Sequence, residues 1–97
     1  MKVEQFYNKN QFIIEDEEHQ KIYFQSYESI IAIWDRNSET LTLGHDWDYS
    51  QTTRKHLYLF INDYCFVEGF DIDSKTKRQD VQKLIDGGAI KYDKNLK

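Results

Sequence analysis

The stretch "HDWDYSQTTRKHLYLF", His45 to Phe60, decides the fold, because the spacing of apolar residues changes across it. Downstream, Leu57, Phe60, Ile61 and Tyr64 fall at i, i+3, i+4 and i+7, which lines one side of an α-helix. The predicted helix runs from about Gln51 to about Tyr64. Its start is marked by Ser50 or Asp48 as N-cap, with the hydroxyls of Thr52 and Thr53 in reach of the free amides of the first turn. Trp47 and Tyr49 would staple the preceding loop to the core.

Upstream the period is that of strands. "QFIIED" and "KIYFQSY" are short runs rich in β-branched and aromatic residues, parted by the polar "EEHQ" of a hairpin loop. "SIIAIW" from Ser29 to Trp34 follows, and "TLTLG" sets Leu41 and Leu43 against Thr40 and Thr42. A meander of three or four antiparallel strands is the economical reading, and "VEQFY" adds a further strand at the edge. Beyond the helix, "CFVEGF" reads as extended and "DIDSK" as a turn. A second helix is predicted from a Thr76–Gln79 capping box, the stripe Val81, Leu84 and Ile85, and the terminating "DGG", with Ile90 packing back on its last turn. "IKYD" finishes as a short strand or a docked tail. The expected fold is α+β: one domain over residues 1–97, with a small antiparallel sheet of three to five strands, one main helix across it and a short C-terminal helix.

A chain of 97 residues supports one core of modest size. Hydrophobic residues make up only 39%, but the 15% that are aromatic bury much area per side chain, which suffices for a folded domain. The formal net charge of −4 argues against a general electrostatic grip on duplex DNA or an anionic membrane. One cysteine, Cys65, excludes an internal disulfide and suits a reducing compartment. Within "YCFVEGF" it reads as a buried thiol. No run approaches the roughly 20 apolar residues of a membrane span, and "MKVEQFYNKN" has no signal-peptide core, so a cytoplasmic location in a bacterial host cell is expected.

The candidate binding site is the helix start: Trp47, Asp48, Tyr49, Ser50, Thr52, Thr53, Arg54, Lys55 and His56. Free amides there attract anions, and three cations in the first turn and a half oppose the helix dipole, a placement that costs stability and so hints at a ligand. The competing reading makes Ser50, Thr52 and Thr53 caps and leaves the cations in water. His45, Asp46, Asp48 and His56 are metal-ligating types, yet their spacing matches no closed zinc pattern. "DIDSKTK" lacks the glycine and closing glutamate of a calcium loop. No metal or other cofactor is expected. Ser50 and His56 lie on one helix, too far apart for a nucleophile and its base, and no phosphate loop or nucleophile elbow exists, so no catalytic residue is assigned.

Two surfaces remain. Tyr23, Phe24, Tyr27 and Trp34 in the strands, with Lys75, Lys77 and Arg78, would suit stacking of single-stranded bases, although a small sheet also needs its aromatics as core. The acidic residues Glu15, Asp16, Glu17, Glu18, Glu68, Asp71 and Asp73 would imitate a phosphate backbone toward a basic groove, or form an ordinary solvated loop and turn.

The pair Ser26-Tyr27, the Ile31-Ala32 strand end, and Trp47-Asp48-Tyr49-Ser50-x-Thr52-Thr53 leading to Lys55 and Phe60 resemble a family of small uncharacterised proteins encoded by bacteriophages and conjugative elements of low-GC Gram-positive bacteria. The closing "QKLIDGGAIKYD" is also similar to that family's last helix and tail. The resemblance implies a home on a mobile element and no particular mechanism. The expected function is therefore a non-enzymatic accessory protein that binds a host or phage macromolecule, such as a nucleic-acid-handling enzyme. Inhibition of a bacterial defence system, for example a CRISPR effector nuclease, is the specific form considered. A single-stranded nucleic-acid-binding module is the alternative, and a metal-dependent enzyme ranks third.

Overall fold

The computed structural model describes residues 1–65 and 71–97. Strands β1 (Lys2–Phe6), β2 (Asn8–Asp16), β3 (Lys21–Ser26), β4 (Ser29–Asp35) and β5 (Thr40–Gly44) form an antiparallel meander in chain order. Helices α1 (Gln51–Tyr64) and α2 (Arg78–Asp86) follow, and β6 (Lys91–Asp93) then pairs parallel with β5. The α+β expectation holds, but among the described residues the sheet has six strands, not the expected three to five, and is not wholly antiparallel. The expected "IKYD" segment does form a short strand, but its pairing is parallel, which requires a long crossover, here the whole helical stretch.

Alternation along the strands builds the core. Ile22, Phe24 and Ser26 of β3 and Leu41 and Leu43 of β5 are buried, while their neighbours are half-buried on the opposite face. In β4 both Ile31 and Ala32 are buried, because the pairing slips between Phe24–Ala32 and Gln25–Ile30 and leaves Ile31 as the extra residue of a bulge. The buried stripe of α1, Leu57, Phe60 and Ile61, closes over this face, and Phe60 stacks on Phe24 with ring centres 5.6 Å apart. Phe6 meets Phe24 and Tyr64 edge-on, each at 5.9 Å. No helix among the described residues is long and apolar enough to cross a membrane.

Among the described residues the turns are tight enough to force Tyr7, Gln20, Tyr27 and Glu39 into left-handed backbone with φ of 51 to 63°. Gly44 is required for a different reason. A Cβ there would sit 2.6 Å from the Leu96 carbonyl oxygen and 2.7 Å from that of Ile30, so the C-terminal tail docks directly on its backbone.

α2 starts one residue later than its expected box. Lys77 is the N-cap and donates its N–H to the Asp80 carboxylate at 3.3 Å, whereas the Thr76 hydroxyl accepts from Asp73 N–H at 3.0 Å. Its end follows expectation: Gly88 holds φ 84°, the amides of Ala89 and Ile90 return to the Leu84 carbonyl, and Ile90 is buried. Of the expected extended segment "CFVEGF", only Cys65 lies within the described residues. Burial pushes its thiol pKa far up, so it is an unreactive core residue.

Candidate functional site

The N-cap of α1 is Ser50, whose extended backbone (φ −152°) leaves its Oγ free to accept the Thr53 N–H at 3.0 Å. Asp48, the other cap candidate, turns away: its carboxylate accepts from Arg78 Nη2 at 2.6 Å and Nε at 2.8 Å. The same guanidinium lies 5.5 Å over the ring of Trp47. Trp47 is buried, as a staple should be, but Tyr49 is 80% exposed and anchors nothing.

The helix start has two sides, and each faces a depression. On the sheet side a cleft of about 780 Å³ is lined by Gln11, Ser26, Tyr27, Ser29, Asp46, Tyr49, Ser50, Thr52 and Thr53. It unites two stretches far apart in sequence, Ser26-Tyr27 and Tyr49 to Thr53, because the β3–β4 turn and the start of α1 lie at the same end of the sheet. Tyr27 (65% exposed) and Tyr49 stand out at this cleft. Tyr27 is held by its backbone, its N–H donating to the Asn10 carbonyl at 2.7 Å and its own carbonyl accepting from Gln25 Nε2 at 2.7 Å. Asp46 accepts from Ser29 Oγ at 3.1 Å and bonds His45 Nδ1 at 2.9 Å; the His45 contact first, and Ser29 after it, hold its pKa below the usual carboxylate value. Gln11, only 2% exposed, also lines this cleft, and its Oε1 has no hydrogen-bond partner among the described residues.

On the other side a groove of about 560 Å³ runs between α1 and the start of α2, lined by Arg54, Lys55, Tyr58, Thr76, Lys77 and Arg78 among others. The expected cation triad is thereby divided. Arg54 and Lys55 face this groove, but His56 is buried, and its Nδ1 donates to the Thr52 carbonyl at 2.9 Å. An anion at the helix start would meet two of the three.

The metal-ligating types do not converge: Asp48 is held by Arg78, His56 points inward, and His45 and Asp46 bond each other. Among the described residues no group of three His, Cys, Asp or Glu side chains is placed to hold a metal ion. The acidic candidates are also dispersed. Glu15 and Asp16 end β2, with Asp16 bonded to His19 at 2.8 Å and Glu15 3.9 Å from Arg36; Glu17 and Glu18 are exposed in the following turn. Asp71 and Asp73 are exposed just before α2, and Glu68 lies outside the described residues.

A family model matches residues 1–82. The chain belongs to the DUF8033 family, a family of unknown function. The match spans the whole meander, α1, both depressions and the first half of α2, and stops short of β6. No curated protein and no solved structure matches the chain.

Gln11 and Tyr58 are the site residues that sequence reading passes over. Gln11 lies in phase with Ile13 on the inward face of β2, so alternation alone marks it as a polar side chain committed to the interior. Tyr58 falls three residues before Ile61, on the buried side of α1.

Proposed function

We propose that this domain is a non-enzymatic binding module that docks a protein partner on the cleft between the β3–β4 turn and the start of α1. The observation that carries this reading is the pair of exposed tyrosines, Tyr27 and Tyr49, at a cleft whose lining includes the buried, unpartnered Gln11 carbonyl oxygen. Tyrosine offers large rigid contact area with one polar tip, and it is enriched among residues that dominate interface energy. An acceptor left buried without a donor costs about 1–3 kcal/mol, a cost removed when a partner's N–H or O–H enters. The hydroxyls of Ser26, Ser50 and Thr52 supply further adaptable hydrogen bonds.

The resemblance to proteins of phages and conjugative elements suits a partner met in a bacterial host, and the net charge of −4 favours a basic one. A nucleic-acid-handling enzyme, including a defence nuclease of the CRISPR type, is the target class we favour on those grounds. The nucleic-acid alternative is weaker, because Phe24 and Trp34 are core residues and offer no surface for bases.

Capture of partners from infected host lysate with the wild-type domain and with a Tyr27→Ala/Tyr49→Ala variant tests the reading. A protein retained by the first and lost by the second is the expected result. Equal retention by both, or recovery of single-stranded nucleic acid in place of protein, would overturn it.

A further inference from the structure

We infer that the groove between α1 and the start of α2 is an oxyanion site for a small phosphate-bearing ligand, independent of the tyrosine cleft. Four cations, Arg54, Lys55, Lys77 and Arg78, line it. Two carboxylates temper them. Asp48 is taken up by Arg78 at 2.6 Å, and Asp80 accepts the Lys77 amide at 3.3 Å, so the balance at the groove stays positive.

The Asp80 carboxylate takes the amide of the N-cap, Lys77, but the Lys77 side chain has no acceptor to offer the first turn, so among the described residues no N-cap side chain takes the leading amides at Arg78 and Gln79. Arg78 is fixed in orientation by Asp48 on one side and the Trp47 ring on the other, which lowers the entropy lost when it meets a ligand.

A second and independent observation points to the ligand. Tyr58 is only 4% exposed, lines the groove, and its hydroxyl has no hydrogen-bond partner among the described residues. Burial foremost raises its pKa, and the charges of Arg54, Arg78, Asp80 and Asp48 at this junction act on it after that. A buried O–H donor without an acceptor, beside uncapped amides and cations, is completed by an oxyanion that accepts from all three. The volume of about 560 Å³ exceeds what a bare tetrahedral ion fills, so the ligand class is a phosphomonoester with an organic part, such as a mononucleotide.

Backbone-amide NMR titrations of the 97-residue protein at constant ionic strength test this, using inorganic phosphate, adenosine 5′-monophosphate, adenosine, and a short single-stranded oligonucleotide in parallel. Saturable shifts at Thr52, Tyr58, Arg78 and Gln79 with phosphate and with the nucleotide, and none with adenosine, are expected. Tighter binding of the nucleotide than of phosphate identifies the organic part as read by the groove; equal binding identifies free phosphate as sufficient.

Tyr58→Phe should weaken binding roughly tenfold, the worth of a hydrogen bond to a charged group. It should melt no lower than wild type, because the hydroxyl it removes has no partner to lose. Tyr27→Ala/Tyr49→Ala should bind phosphate as wild type does, which separates this site from the protein-docking cleft. The inference is overturned if neither phosphate nor nucleotide gives saturable shifts, if Tyr58→Phe binds unchanged, or if only the oligonucleotide binds.

Discussion

Truncating Phe60 to alanine removes the residue on which the join between sheet and helix rests. Its ring is fully buried, stacks on Phe24 at 5.6 Å and on Tyr64 at 5.6 Å, and sits in the middle of the α1 stripe. Loss of a buried Phe side chain costs about 3–5 kcal/mol in transfer and cavity terms, and ring contacts of this kind place the site toward the upper part of that range. A domain of this size has a total stability of roughly 5–15 kcal/mol, so the variant keeps a folded population with a much reduced margin. In urea, a loss of about 4 kcal/mol with a slope of about 1.5 kcal/mol per molar lowers the unfolding midpoint by roughly 2.7 M. Equilibrium unfolding followed by far-UV circular dichroism measures this, with Tyr49→Ala as the exposed control expected to stay within about 0.5 kcal/mol. A loss at Phe60 below ~1 kcal/mol with unchanged slope would show that α1 does not close the core, and the two depressions flanking its first turn would lose their basis.

Four further outcomes are expected. Gly44→Ala sets a Cβ against two carbonyl oxygens and should cost about 1–3 kcal/mol or more, read as a lower melting temperature together with loss of amide protection at His45, which bonds Leu96. Glu39→Gly relieves a left-handed φ of 51° and should raise stability by roughly 0.5–1 kcal/mol in urea unfolding; a decrease would mean the Glu39 side chain contributes more than its backbone costs. Ser50→Ala removes the cap on Thr53 and should cost about 1 kcal/mol, whereas Ser50→Gly should cost only a few tenths.

The fourth outcome concerns acid. The folded-state pKa of Asp46 lies below its ordinary value of 3.8 because of His45 and Ser29, so the stability it contributes is present above that value and is lost as pH falls through the folded pKa. Melting temperatures of wild type and Asp46→Asn should therefore converge as pH drops below about 4; parallel curves would show that Asp46 is not coupled to folding.

Much of this arrangement was legible in the residues. The 3.6 period of Leu57, Phe60 and Ile61 together with the Ser50 cap located α1, since both signals are local and both reflect the physics that forms the helix. The same period contained the answer for His56, one turn before Phe60, although its charge type drew it into the proposed anion patch. The α2 box failed because Thr76 has two uses for one hydroxyl, and the turn with Asp73 claims it before the helix begins. For "IKYD" the residues left a short strand and a docked tail both open, since what makes residues 91–93 a strand is the edge of β5, brought alongside by the fold. The cleft and the groove share that origin: Ser26 and Ser50, or Tyr58 and Lys77, become neighbours only once the meander and helices are stacked.

The short sixth strand has a consequence for how the molecule keeps to itself. β1, the outer strand on one side, carries Lys2 and Glu4, 3.6 Å apart, charges that discourage another chain from adding to that edge. β5 on the other side reads Thr-Leu-Thr-Leu-Gly without a charge, and it is kept internal by three residues whose sequence, Lys-Tyr-Asp, bears one charge of each sign. Removing residues 91–97 would keep the buried Ile90 and leave the meander's own hydrogen bonds untouched while uncovering a neutral, β-prone ladder. Such a shortened chain is expected to lose its solubility before it loses its architecture.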